Sequence, residues 1–90
     1  MANFLEYFFF ALIIYYMITL DKGKLKKEYK IEKFLDHSTI VRRFLELGLT
    51  VGQKVKVVAT SLQKKVFLIE VRGYLLSIRT SLLEKVVVSQ

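Results

Sequence analysis

The chain reads as a mainly β domain with one inserted α-helix: a small barrel of about five strands behind an apolar N-terminal extension. Three observations predict it. Between residues 27 and 88, apolar side chains recur at every second position in several short runs, the period of a half-buried strand. Residues 39–47 break that period and space their apolar side chains as a helix does. The whole is 90 residues, enough for one small domain. Several short strands in so few residues share a core most readily by curling into a closed or nearly closed barrel.

The apolar extension comes first. Residues 7–20 are uncharged and rich in Phe, Tyr and Ile. As a helix at ~1.5 Å per residue they reach roughly 21 Å, short of a ~30 Å hydrocarbon core. Reaching back to Ala2 lengthens the run but takes in Asn3 and Glu6. No Lys or Arg precedes the run and no small-residue cleavage site follows it, so it does not read as a secretory signal peptide. Three readings stay open. The first is a membrane-associating segment over residues 4–20, held with its C-terminal side in the cytoplasm by Lys22, Lys24, Lys26 and Lys27. The second is an aromatic strand or helix packed on the domain. The third is translated upstream sequence ahead of a start at Met17. The division expected is an extension over residues 1–19 and a folded domain over 20–90.

Within that domain, residues 27–35 alternate Tyr29, Ile31 and Lys33 inward against Lys30 and Glu32, a half-exposed strand. Ser38 is placed to cap a helix of about ten residues, its hydroxyl accepting a first-turn N–H. On that helix Ile40, Val41, Phe44, Leu45 and Leu47 form the stripe, with Arg42, Arg43 and Glu46 opposite. Gly48 supplies the left-handed residue that ends it. Gly52 marks a turn, and Val55 and Val57 then alternate with Lys54 and Lys56. Residues 60–64 are polar and read as a loop. Residues 65–72 turn Phe67, Ile69 and Val71 to one face. Gly73-Tyr74 is expected as a two-residue type II′ connection. Residues 75–79 return with Leu76 and Ile78 inward, residues 81–85 make one helical turn, and Val86 and Val88 close the sheet. The architecture this adds up to is an SH3-like barrel with an inserted helix.

Fifteen Lys and Arg against eight Asp and Glu give a net charge of +7. That balance suits nucleic acid, an anionic membrane surface or an acidic partner, and selects none of them. The lack of cysteine fits a reducing cytoplasm and removes thiolate metal sites and cysteine nucleophiles. His37 is the single histidine, with Asp36 beside it. One imidazole and one neighbouring carboxylate fall short of the convergent ligands a transition metal needs. No metal site, no cofactor and no catalytic residues are expected, because no nucleophile–base pair, phosphate-cradling glycine loop or close pair of carboxylates stands out.

Three stretches carry a resemblance. Arg43-Phe44-Leu45-Glu46-Leu47-Gly48-Leu49-Thr50-Val51-Gly52, then Val66 to Arg72, then Gly73-Tyr74-Leu75-Leu76-Ser77-Ile78-Arg79, in this order and spacing, resemble the FeoA family over about residues 18–88. Two loops depart from its pattern. Ser61-Leu62-Gln63-Lys64-Lys65 stands where the family often has Pro and Gly, and the usual glycine near the first strand is replaced around Glu28. The resemblance implies an SH3-like fold, a bacterial cytoplasmic protein at the inner face of the membrane, and regulatory or assembly work with the ferrous-iron transporter FeoB. It does not imply that this chain itself binds iron. The SH3-like C-terminal domains of iron-dependent repressors share the barrel, but they follow DNA-binding and dimerisation domains that this sequence lacks.

The candidate partner-binding residues are Arg42, Arg43, Leu45, Leu49, Arg72, Tyr74 and Arg79. Arg72 and Arg79 flank the hairpin that matches the family motif and offer bidentate geometry to acidic groups; local ion pairs on the outer face are the alternative. Tyr74 is either an interface anchor or a cover for the barrel end. Arg42 and Arg43 form a docking face or simply a solvated one. Phe44 and Leu47 are expected in the core, and Leu45, Leu49 and Val51 cannot all follow them inward, so an apolar remnant is expected outside. Two other functions stay in view: a small basic barrel binding nucleic acid through Tyr29, Phe34, Phe67 and Tyr74, and a membrane-anchored adaptor.

Overall fold

The computed structural model describes residues 5–6, 17–35 and 39–90. Among the described residues six strands form one antiparallel sheet in the order β1-β6-β2-β3-β4-β5, one strand more than the pattern predicts. The strands are β1 Met17–Thr19, β2 Glu28–Phe34, β3 Lys54–Thr60, β4 Val66–Val71, β5 Tyr74–Arg79 and β6 Val86–Ser89. Helix α1, Thr39–Glu46, lies between β2 and β3, and a single turn α2, Thr80–Leu83, joins β5 to β6.

The additional strand is β1, which pairs Met17, Ile18 and Thr19 with Ser89, Val88 and Val87. A 3-10 turn, Leu20–Lys22, follows, and Leu20 is fully buried. The last four residues of the run read as a membrane segment over 4–20 therefore belong to the folded domain, and the sheet begins three residues ahead of the expected boundary. The extension as far as Tyr16 lies outside the described residues apart from Leu5 and Glu6, as do Ser38 and His37. No helix of the described residues is long and apolar enough to cross a membrane.

Alternation holds along β3 and β4. Val55, Val57, Phe67, Ile69 and Val71 are all buried, and Lys54, Lys56 and Glu70 are exposed. Strand β2 corrects one expectation. Its register against β6 shifts between Ile31 and Lys33; a bulge inserts one residue and swaps the faces beyond it. Lys33 is thus exposed, and Phe34 turns inward to stack on Phe44, ring centroids 5.5 Å apart. A second shift, between Val57 and Ala59 in β3, adds to the bend that curls the sheet. Buried Tyr29 keeps its hydroxyl satisfied by accepting the Lys24 N–H at 2.8 Å, as a phenol taken out of water requires.

The β4–β5 connection sits one residue earlier than expected. Val71 pairs with Tyr74, leaving Arg72-Gly73 as the two loop residues. Both have positive φ, 51° and 83°, which makes the turn type I′ and not II′. The loop lacking the family's Pro and Gly is held by a side chain instead: Ser61 Oγ accepts the N–H groups of Lys65 and Val66 at 3.0 and 3.2 Å.

Candidate functional site

The end of α1 and the tip of the β4–β5 hairpin meet. Gly48, at φ 87°, ends the helix, with its N–H donating to the Leu45 carbonyl at 3.0 Å and the Leu49 N–H donating to that of Phe44 at 2.9 Å. These two bonds define a Schellman motif, in which the residue after the glycine folds back on the last helical turn. That residue is Leu49, and it lies fully buried with Phe44. The Tyr74 hydroxyl donates to the Leu47 carbonyl at 3.0 Å, satisfying one of the acceptors a helix C-terminus leaves open. A Cβ at position 48 would lie 2.7 Å from that hydroxyl oxygen. Arg72 donates from Nε to the Gln53 side-chain oxygen at 2.8 Å, which fixes its guanidinium beside the same corner.

Next to this corner a groove of about 500 Å³ opens between α1 and β5. Ile40, Phe44 and Leu47 line it from the helix, Ile78 from β5 and Leu82 from α2, and Arg43 and Arg79 stand on its two sides. Lys64, Lys65, Val66, Thr80 and Ser81 continue it past Arg79 into a second cavity. Neither arginine makes an ion pair with a described carboxylate: the one described salt bridge is Lys54–Glu28, 4.0 Å apart elsewhere on the surface. That pair is well exposed and contributes little.

The seven candidate residues divide accordingly. Arg43, on α1, and Arg79, on β5, both line the groove. Arg72 and Tyr74 lie at the adjoining corner, Tyr74 still 43% exposed. Arg42 and Leu45, exposed, point elsewhere on the helix, Leu45 at 49%. Leu49 drops out, since the Schellman turn takes it to 0% exposure. Leu47 moves the other way: expected in the core, it is 36% exposed and lines the groove. Arg43 is not opposite the apolar stripe, because 40, 43, 44 and 47 share one face at about 3.6 residues per turn. That spacing was visible in the sequence, as was the isolation of Val41 and Leu45 on a separate flank. The contributions of Gln53, Ser81 and Leu82 had no such signal, because their placement depends on pairings made far along the chain.

Among the described residues no three His, Asp or Glu side chains come together as metal ligands do. Of the four aromatic residues considered for stacking on bases, Tyr29 and Phe67 are buried, Phe34 is stacked on Phe44, and Tyr74 alone is exposed.

A six-stranded antiparallel sheet curled by two bulges, with one helix inserted after its second strand, defines a small SH3-like barrel protein. The FeoA domain family model matches residues 18–90, and the chain belongs to that family, which is associated with ferrous-iron transport. No curated protein sequence matches it. Among solved structures, a FeoA-like protein from Clostridium acetobutylicum is similar, with TM-score 0.76 and 22% identity over 81% of this chain and 85% of that one. Stenotrophomonas maltophilia FeoA, solved with zinc and described as an SH3 domain protein, aligns with TM-score 0.71 and 29% identity over 80% and 89%. The barrel recurs in a manganese-dependent transcriptional repressor, with TM-score 0.75 but 11% identity over 82% of this chain and 41% of the repressor. At that identity the likeness is one of fold.

Proposed function

We propose that this chain is an accessory protein-interaction module of bacterial ferrous-iron transport that docks on the cytoplasmic part of the membrane transporter FeoB. Family membership supports the pathway. The description of the S. maltophilia protein, which raises a role as a ferrous-iron transport activating factor, points the same way for that relative. The observation that carries the docking role is the groove between α1 and β5, where Leu47 remains exposed and Arg43 and Arg79 have no described acidic partner. The described residues bury fourteen apolar side chains in one cluster yet leave Leu47 exposed beside it, and apolar surface rimmed by charge marks interaction sites. Regulation or assembly through contact is the role such a surface serves; no reaction is assigned to it.

The test is retention of the full chain by the cytoplasmic domain of FeoB from the same cell. Retention is expected, and charge reversal at Arg72 and Arg79 should weaken it while the spectrum of the folded protein is unchanged. A wild-type chain that passes through unretained at low salt defeats the proposal.

A further inference from the structure

The groove has a wall of a particular kind. β5 is the last strand of the sheet, and among the described residues nothing pairs with its outer edge. The two-residue turn sets which of its backbone groups face that edge. In such a hairpin the residues closing the loop, here Val71 and Tyr74, exchange both hydrogen bonds, and the pattern alternates from there. Tyr74, Leu76 and Ile78 thus bond to β4, and the Thr80 N–H continues the series by donating to the Lys65 carbonyl at 2.9 Å. Leu75, Ser77 and Arg79 direct their N–H and C=O groups outward. Ser77 and Arg79 lie on the stretch of β5 that lines the groove, with α1 across from them.

An edge strand and a helix flanking an apolar-floored slot form the geometry into which an extended peptide adds as a further strand. We infer that this groove binds an extended acidic peptide segment by strand addition to β5, its carboxylates meeting Arg43 and Arg79 and its alternate apolar side chains meeting the accessible Ile40, Leu47 and Leu82. The inference rests on the reading that the chain docks a protein, and it names the form of the segment recognised. Charge argues for the acidic occupant. Arg43, Arg79, Lys64 and Lys65 line the groove and its continuation, and among the described residues no carboxylate lines either. A second copy is disfavoured for the same reason, since two β5 edges brought together would set equal cationic rims side by side on chains of net charge +7. Single-stranded nucleic acid would satisfy the charge but use neither the backbone edge nor the apolar floor.

The probe is a displayed library of random peptides of about eight residues, a length that covers a six-residue strand with a margin, selected on the full-length chain. The enriched peptides are expected to be acidic with apolar residues at every second position. Added to the isotope-labelled chain, a synthetic copy should shift and protect from exchange the amides of Leu75, Ser77 and Arg79. A proline scan of that peptide should lose binding at alternate positions only, since alternate N–H groups pair with an edge. Arg43→Glu with Arg79→Glu should weaken binding about tenfold and leave the spectrum of the free protein dispersed. The inference is overturned by enrichment without acidic residues, by a proline scan lacking a period of two, or by shifts away from β5. A mixed-sequence oligodeoxynucleotide that competes equally for the same amides also overturns it. Because no FeoB is used, failure here leaves the retention experiment to judge the wider proposal separately.

Discussion

Strand β4 and helix α1 use apolar residues to different ends. In β4 Phe67, Ile69 and Val71 are buried to 2% exposure or less. In α1 Phe44 alone is buried, Ile40 and Val41 are half covered, and Leu45 remains outside. A strand inside a sheet has neighbours on both sides, so one face closes completely. A lone short helix on the flank of a barrel touches the core along a narrow line, and Phe44, stacked on Phe34, is most of that line. The sheet therefore holds the fold together, and the helix side leaves surface available for contact.

The sharpest way to test this division is to empty the sheet. Phe67→Ala should cost about 3–5 kcal/mol, the transfer loss plus a cavity that a closed barrel cannot collapse, read from urea unfolding. A loss as small as that expected on the surface would mean that β4 is not the more rigid region. At the joint between the two regions, Gly48→Ala should cost about 1–2 kcal/mol from its left-handed backbone alone, with the contact to the Tyr74 hydroxyl adding to it. Combining it with Tyr74→Phe should cost less than the sum of the two single changes, a coupling that a double-mutant cycle measures. Tyr74→Phe by itself should cost about 0.5–1.5 kcal/mol for the bond to the Leu47 carbonyl, seen as a lower Tm. The smallest effect has the opposite sign: Arg72→Asn should gain less than about 1 kcal/mol, since Asn tolerates the positive φ of this turn better than Arg. A loss there would show that the Arg72–Gln53 bond outweighs the backbone strain.

The alternation of Val55, Val57, Phe67, Ile69 and Val71 was legible because a strand's two faces follow from a period of two, whatever its neighbours. Gly48 was legible for a similarly local reason. The docking candidates were harder. Arg43, expected opposite the stripe, shares a face with Ile40, Phe44 and Leu47, and Leu49, expected at the surface, is folded inward by the turn after Gly48. The shared face follows from helical spacing and the burial of Leu49 from a local turn; what is tertiary is which flank of the helix meets the sheet, and so that Leu47 stays outside.

The residues alone, then, determined five of the six described strands, the helix with its glycine stop, and the family motif running from Arg43 to Arg79. These are local properties, set by periodicity and by backbone conformation within a few residues. The tertiary structure decided the rest: that Met17–Thr19 joins the sheet against β6, that Phe34 and not Lys33 turns inward beyond the bulge, and that Arg43 and Arg79 come to flank one groove. Each of these joins positions distant in the chain, through a pairing register or a helix's resting side, and no short-range pattern encodes them.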